Sequence, residues 1–187
     1  MQPSGEPTRP PSATHSVSEL DEDTLAFVRR VFGYARAGAS AELAPLLAQG
    51  LPANLRNERG DSLLMLACYH GHLDAAKVLL AHGADPDIMN DAGQAPLHGA
   101  AYKGDLDVAT LLLDHGARVD AAGPNGKTAL LFAAMFNRVD IARLLLARGA
   151  EPLRLDADGN AILDAARKMG ADDTVALLAT FTVTNPS

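Results

Sequence analysis

The sequence predicts an all-α fold, a solenoid of stacked helix–turn–helix units, about five of them, with imperfect units capping both ends. Three observations lead there. Gly60, Gly93, Gly126 and Gly159 recur at a step of 33 residues. Leu64, Leu97, Leu130 and Leu163 keep that step, as do Ala67, Ala100, Ala133 and Ala166, while Gly50, Gly83, Gly116 and Gly149 carry it back into an earlier, diverged copy. Hydrophobic residues make up 48% of the chain, yet aromatics only 4%, with no Trp. A core of Leu and Ala suits close-packed helices better than a β-sandwich.

The elements follow in order. Residues 1–19, with Pro3, Pro7, Pro10 and Pro11 among Ser and Thr, are too polar to offset the entropy of ordering and are expected to form a disordered tail. They carry no apolar h-region and no Arg-rich amphipathic pattern, so no signal or transit peptide is expected. No apolar run approaches the length of a membrane span. A cytoplasmic location without membrane attachment is the resulting expectation. The repeat domain is expected over residues 20–181, with units near 23–57, 58–90, 91–123, 124–156 and 157–180, and a second disordered tail over 182–187.

The first unit keeps Leu46, Leu47 and Gly50; its Pro45 falls inside the expected second helix, which it is expected to distort. The second unit opens on Ser62-Leu63-Leu64-Met65. The third reads most clearly. Pro96 to Lys103 is a short Ala-rich helix opened by Pro, whose missing N–H is harmless in a first turn. Gly104 breaks it. Leu106 to Asp114 forms the second helix, with Leu106, Ala109, Leu112 and Leu113 at helical spacing and Asp107 at the positive end of its dipole. Gly116 then ends it as a left-handed cap. The fourth unit opens on Thr128-Ala129-Leu130-Leu131 and places Asn137 at the break between its helices, Asn being the usual substitute where φ is positive. The fifth, Ala161 to Ala179, is atypical, as a terminal cap is expected to be. Polar Gly- and Pro-containing stretches join one unit to the next.

These residues resemble the ankyrin-repeat family. The resemblance lies in Ala95-Pro96-Leu97-His98-Gly99-Ala100, in Gly71-His72, and in Leu79-Leu80-Ala81-His82-Gly83-Ala84-Asp85, and covers roughly Leu20 to Phe181. It implies structural roles for the histidines: His72 and His98 fall in signature columns, and the signature His hydrogen-bonds neighbouring turns. His82 and His115 share another column. It also implies that first-helix ends and hairpin tips form a concave binding face with outward side chains.

Other motifs have plainer explanations. Ala121 to Thr128 loosely matches a phosphate-binding loop, but it follows a repeat turn rather than a buried strand. His70-Gly71-His72 near Cys68 lacks zinc-ligand spacing, and Cys68 aligns with Ala101 and Ala134 as a small packed side chain. Asp74, Asp107, Asp140 and Asp173 recur at second-helix starts, where the dipole accounts for them. No catalytic residue, cofactor or metal is therefore expected. With 1 Cys no internal disulfide can form, which fits a reducing compartment.

Net charge is −7 and the pI about 5.2. An acidic surface repels phosphate backbones, so no nucleic acid is expected, and a protein with a basic or mixed surface is the expected partner. The register places Tyr69-His70, Tyr102-Lys103 and Met135-Phe136 at first-helix ends, flanked by Arg36-Ala37 and Lys168-Met169. Two of the 3 Tyr residues fall in one column. Aromatics and Met are residues that interfaces favour. Tyr69, His70, Tyr102, Lys103, Met135 and Phe136 are thus the expected protein-binding residues; the competing reading is that the rings only cover neighbouring helices. The function expected is a non-catalytic, monomeric protein-interaction module, or alternatively a dedicated assembly chaperone shielding a basic client.

The tail reading is testable. Deleting Met1 to Ser18 is expected to leave the melting temperature almost unchanged, measured by circular dichroism. A large drop would mean that this segment docks on the repeats.

Overall fold

The computed structural model describes residues 22–183. Residues 1–19 and 184–187 of the expected tails lie outside the described residues, whereas 182 and 183 continue the last helix. Ten α-helices occur among the described residues. They are α1 (Glu22–Ala37), α2 (Ser40–Ala48), α3 (Leu63–Tyr69), α4 (Leu73–Ala81), α5 (Pro96–Lys103), α6 (Leu106–Asp114), α7 (Ala129–Met135), α8 (Val139–Ala147), α9 (Ile162–Lys168) and α10 (Asp172–Val183). Extended pairing there is confined to two isolated bridges, Arg56 with Ser62 and Leu155 with Ala161, each at the base of a hairpin.

The helices form two layers. First helices α1, α3, α5, α7 and α9 pack each on the next, and second helices α2, α4, α6 and α8 do the same behind them, with α10 closing against α7, α8 and α9. The 33-residue columns are the seam between units. Ala67, Ala100, Ala133 and Ala166 are all fully buried, and Leu64, Leu97 and Leu130 nearly so. Leu163, in the terminal unit with no following repeat to cover it, is only half-buried. In α6 the buried face is Val108, Ala109 and Leu112. Leu106, placed on that face by spacing, is 41% exposed because it starts the helix and overhangs its neighbours.

Helices of seven to nine residues do not persist alone in water, so their ends need partners. The Ser62 hydroxyl accepts from Met65 N–H at 3.0 Å and Thr128 from Leu131 N–H at 3.3 Å. Ala95 has no such oxygen; Pro96 removes one donor, and His98 Nδ1 accepts the Ala95 N–H at 2.9 Å. Gly104 ends α5 at φ +84°, and Asn137 takes the same role after α7 at φ +52°, as its residue type suggests. Asn137 also caps α10, accepting from Thr174 N–H at 3.1 Å while donating to Asp173 at 2.9 Å.

Pro45 does not interrupt its helix. α2 runs unbroken through it. Pro45 and Ala41, whose carbonyl loses its intrahelical partner, both lie on the exposed side, so water can satisfy that carbonyl.

Hairpins between units are built on a second column. Asn57 Oδ1 accepts from Arg59 and Asp61 N–H, Asn90 Oδ1 from Ala92 and Gln94 N–H, and Asp156 Oδ1 from Asp158 and Asn160 N–H. The equivalent position in the remaining hairpin is Gly123, where a Cβ would lie 2.5 Å from Gly93 Cα. There the close approach of two backbones excludes the Asx side chain. Successive hairpins are tied together: Asp91 N–H donates to Arg59 O at 3.0 Å, Ala157 N–H to Asn125 O at 3.0 Å, and Asn90 Nδ2 to Asp61 at 2.8 Å.

Leu97 tests the seam. Leu97→Ala is expected to cost about 2–5 kcal/mol, the range for a buried Leu truncated in a core. The loss is expected to spread to adjacent units, because each is stabilised mainly by its neighbour. Urea melts read this directly, and an unchanged midpoint would refute the stacking role.

Candidate functional site

Because α3, α5 and α7 lie side by side, residues 33 apart in sequence become neighbours in space. Tyr69 ends α3, Tyr102 lies in the last turn of α5, and Phe136 caps α7. The Tyr69 and Tyr102 rings stack in parallel, with centroids 6.0 Å apart and planes at 4°. Phe136 meets Tyr102 edge-on at 4.6 Å and 80°. The Tyr69 backbone and ring pack about 3.5 Å from where a Cβ on Gly99 would stand, so a bulky side chain there would lift the ring. A shallow cavity of about 280 Å³ opens between Met65, Tyr69, His98, Tyr102, Phe132 and Phe136.

The six residues singled out by register do not all behave alike. Tyr69, at 39% exposure, His70 and Lys103 are exposed; Tyr102, Met135 and Phe136 are half-buried. Met135 packs against the core, so Phe136 rather than Met135 extends the aromatic row. Ring stacking thus does cover neighbouring helices, while Tyr69 stays 39% exposed. Lys103 Nζ sits 4.7 Å from the Tyr69 centroid and 5.8 Å from that of Tyr102, a cation against the electron-rich faces.

A further column lies beside the row. His72, Asp105 and Arg138 are the N-caps of α4, α6 and α8. His72 Nε2 is 2.8 Å from Arg36 O, which fixes a proton on that nitrogen, and Arg138 Nε donates to Tyr102 O at 3.2 Å. Both reach the last turn of the preceding first helix, and Gly38 leaves room for the His72 ring, which a Cβ would approach to 2.5 Å. The 33-residue step itself carries this signal; the mixed residue types hide it. His70 stacks on His72 with centroids 6.2 Å apart. Burial first, then the charges of His72, Lys103 and Arg36, hold the His70 pKa below the ordinary histidine value.

The other candidates resolve into structural parts. His98 is buried; with Nδ1 accepting from Ala95, its Nε2–H donates to Lys127 O at 3.0 Å in the next hairpin. Desolvation lowers its pKa, against hydrogen bonds that act the other way. His82 and His115 turn Nδ1–H onto the carbonyls of Val78 and Leu111 at 2.8 and 2.9 Å, capping their own helices. Burial, with the charge of Asp105 added, pushes the Cys68 thiol far above its usual range. No cluster of three or more metal-ligating side chains occurs among the described residues. In the stretch 121–128, Asn125 Oδ1 already accepts the Lys127 N–H and Thr128 caps α7.

Residues 32–122 and 119–185 match a family model described as ankyrin repeats, three copies. An ankyrin repeat protein of Pseudomonas aeruginosa is 58% identical over 60 residues, covering 32% of this chain and 35% of that protein. The matched stretch thus spans about a third of the relative's length.

His98 sets a pH expectation. Its folded pKa lies below the ordinary 6.5, so its neutral form stabilises the fold above that value and stability falls as pH drops through it. The urea midpoint is expected to decline between about pH 7 and about pH 5. His98→Gln is expected to flatten that decline while lowering the midpoint at neutral pH. An equally steep decline in the variant would remove His98 as its source.

Proposed function

The chain belongs to the ankyrin-repeat family, and from that we propose that it is a non-catalytic, monomeric interaction module of the cytoplasm that binds a partner protein across the row Tyr69–Tyr102–Phe136. The observation that carries this reading is the parallel Tyr69–Tyr102 pair, stacked with centroids 6.0 Å apart yet 39% exposed at Tyr69. A pre-stacked aromatic surface presents large apolar area with little entropy left to lose on binding. A groove of about 630 Å³ runs from Arg36, Tyr69 and His70 to the hairpin residues Glu58, Arg59 and Asp91, giving a bound segment a second wall. Lys103 and His70 sit beside the rings as adaptable polar contacts, and Met135, next to Phe136 in sequence, packs against the core.

The charge of the outer layer favours a second reading. Asp74, Asp107, Asp114 and Asp140 stand on α4, α6 and α8, and the chain as a whole carries −7. An assembly chaperone shielding a basic client would use that face. Its binding would collapse with modest salt, whereas docking on the rings would persist.

Tyr69→Ala with Tyr102→Ala is expected to retain helicity and cooperative unfolding but to lose capture of the main partner from an extract of the source cells, followed by mass spectrometry. Truncating aromatic anchors of an interface typically costs ~2 kcal/mol or more. Undiminished capture by the folded double variant would refute the aromatic row as the binding face. Loss of folding would show that the rings are core.

A further inference from the structure

We propose that the row of hairpins is jointed between its second and third members. The first two tips and the last two then move as separate pairs, and the face between Tyr102 and Phe136 opens and closes. The four hairpins are those around Asn57, Asn90, Gly123 and Asp156. The joint is a property of the array alone and goes beyond the binding reading above.

Three of these hairpins are braced alike. Asn57 N–H donates to Asp61 O at 3.0 Å, Asn90 N–H to Gln94 O at 2.9 Å and Asp156 N–H to Asn160 O at 3.1 Å. In each, the side chain of that first residue accepts two further amides. The third hairpin lacks this brace. Gly123 has no side-chain acceptor, and the N–H groups of Gly123 and Asn125 have no acceptor among the described residues. What remains is Gly126 N–H to Gly123 O at 2.9 Å and Lys127 N–H to Asn125 Oδ1 at 3.1 Å.

Bonds from tip to tip fail at the same place. The first and second tips are joined by Asp91 N–H to Arg59 O at 3.0 Å, Asn90 Nδ2 to Asp61 at 2.8 Å and Arg56 Nη2 to Met89 O at 2.9 Å. The third and fourth are joined by Ala157 N–H to Asn125 O at 3.0 Å. Between the second and third, the residue in the Asp91 and Ala157 column is Pro124, which has no N–H to give to Ala92 O. Asn125 Nδ2 reaches Ala92 O instead, at 3.4 Å. That is beyond the ordinary N–H···O range of about 2.7–3.2 Å. The backbones of Gly93 and Gly123 meet there without side chains to interlock. Lower down the same two units stay tied, by His98 Nε2 to Lys127 O at 3.0 Å and Arg118 Nε to Asp87 at 2.9 Å. These bonds form the pivot, and a tip with few bonds above a firm base opens locally at small cost. Tyr69 and Tyr102 stand on one side of the joint and Phe136 on the other. The groove between the first two tips keeps its shape as the joint moves.

Paired spin labels and double electron–electron resonance read the joint in the full chain. One pair, Ala92→Cys with Asp158→Cys, spans it at exposed tip positions. The other, Asp74→Cys with Asp140→Cys, spans the same seam at the exposed starts of α4 and α8. Cys68→Ala, matching Ala101 and Ala134 in its column, removes the native thiol. The tip pair is expected to give a distance distribution at least about twofold broader than the helix pair. Pro124→Ala restores the N–H that Asp91 and Ala157 give to their neighbours, and is expected to narrow the tip distribution to the width of the helix pair. Circular dichroism checks the fold of each labelled chain. Equal widths for the two pairs, or a tip width that a folded Pro124→Ala chain leaves unchanged, would overturn the proposal. The comparison of the two pairs is made with Pro124 in place, so it decides the matter even should Pro124→Ala disturb folding.

Discussion

Everything in this molecule depends on one contact, the packing of each first helix on the next through a small buried side chain. Ala67, Ala100, Ala133 and Ala166 are fully buried along that seam. A methyl group is about the largest side chain that lets short helices approach so closely, and a larger one would force the layers apart. No unit has a core of its own. A seven-residue helix such as α3 gains its stability from α1 on one side and α5 on the other, so folding is shared along the array.

Close stacking brings polar groups inward, and the fold answers with bonds that jump one repeat. His98 to Lys127, Asn90 to Asp61, His72 to Arg36 and Arg138 to Tyr102 each span 29 to 36 residues. Among the described residues no buried side-chain polar atom is left without a partner. An unpaired group would cost about 1–3 kcal/mol at each site, enough to upset a fold whose net stability is small. These cross-repeat bonds also hold the hairpins in register, so the groove beside the aromatic row is preformed rather than assembled on binding.

The aromatic row is a by-product of the same stacking put to a different use. Equivalent positions of adjacent units necessarily face the same way, so any residue type repeated at 33-residue spacing becomes a stripe. Here the stripe is Tyr69 and Tyr102, and Phe136 joins it from the next position along. Other side chains line up for the same reason, since Arg36, Tyr69, Tyr102, Met135 and Lys168 share one column and His70 and Lys103 the next.

What the sequence by itself determined was the periodic part: the 33-residue unit, the two helices within it, the buried Leu and Ala columns, the left-handed Asn137, and the alignment of Tyr69 with Tyr102. Periodicity makes these legible because identical local sequence meets an identical environment in each interior unit. Tertiary structure decided what is not periodic. It left Leu106 overhanging and Leu163 half-covered, since exposure at a helix start or a terminal unit depends on what lies next to it. It let α2 run through Pro45, since the orphaned carbonyl faces outward. It packed the half-buried Met135 against the core and brought Phe136 to Tyr102. It also set Lys103 over the Tyr69 ring while Asp105 turned to cap α6 and Asp91 to Arg56. Which charges remain free is a matter of distances between side chains far apart in sequence, and spacing along the chain does not encode them.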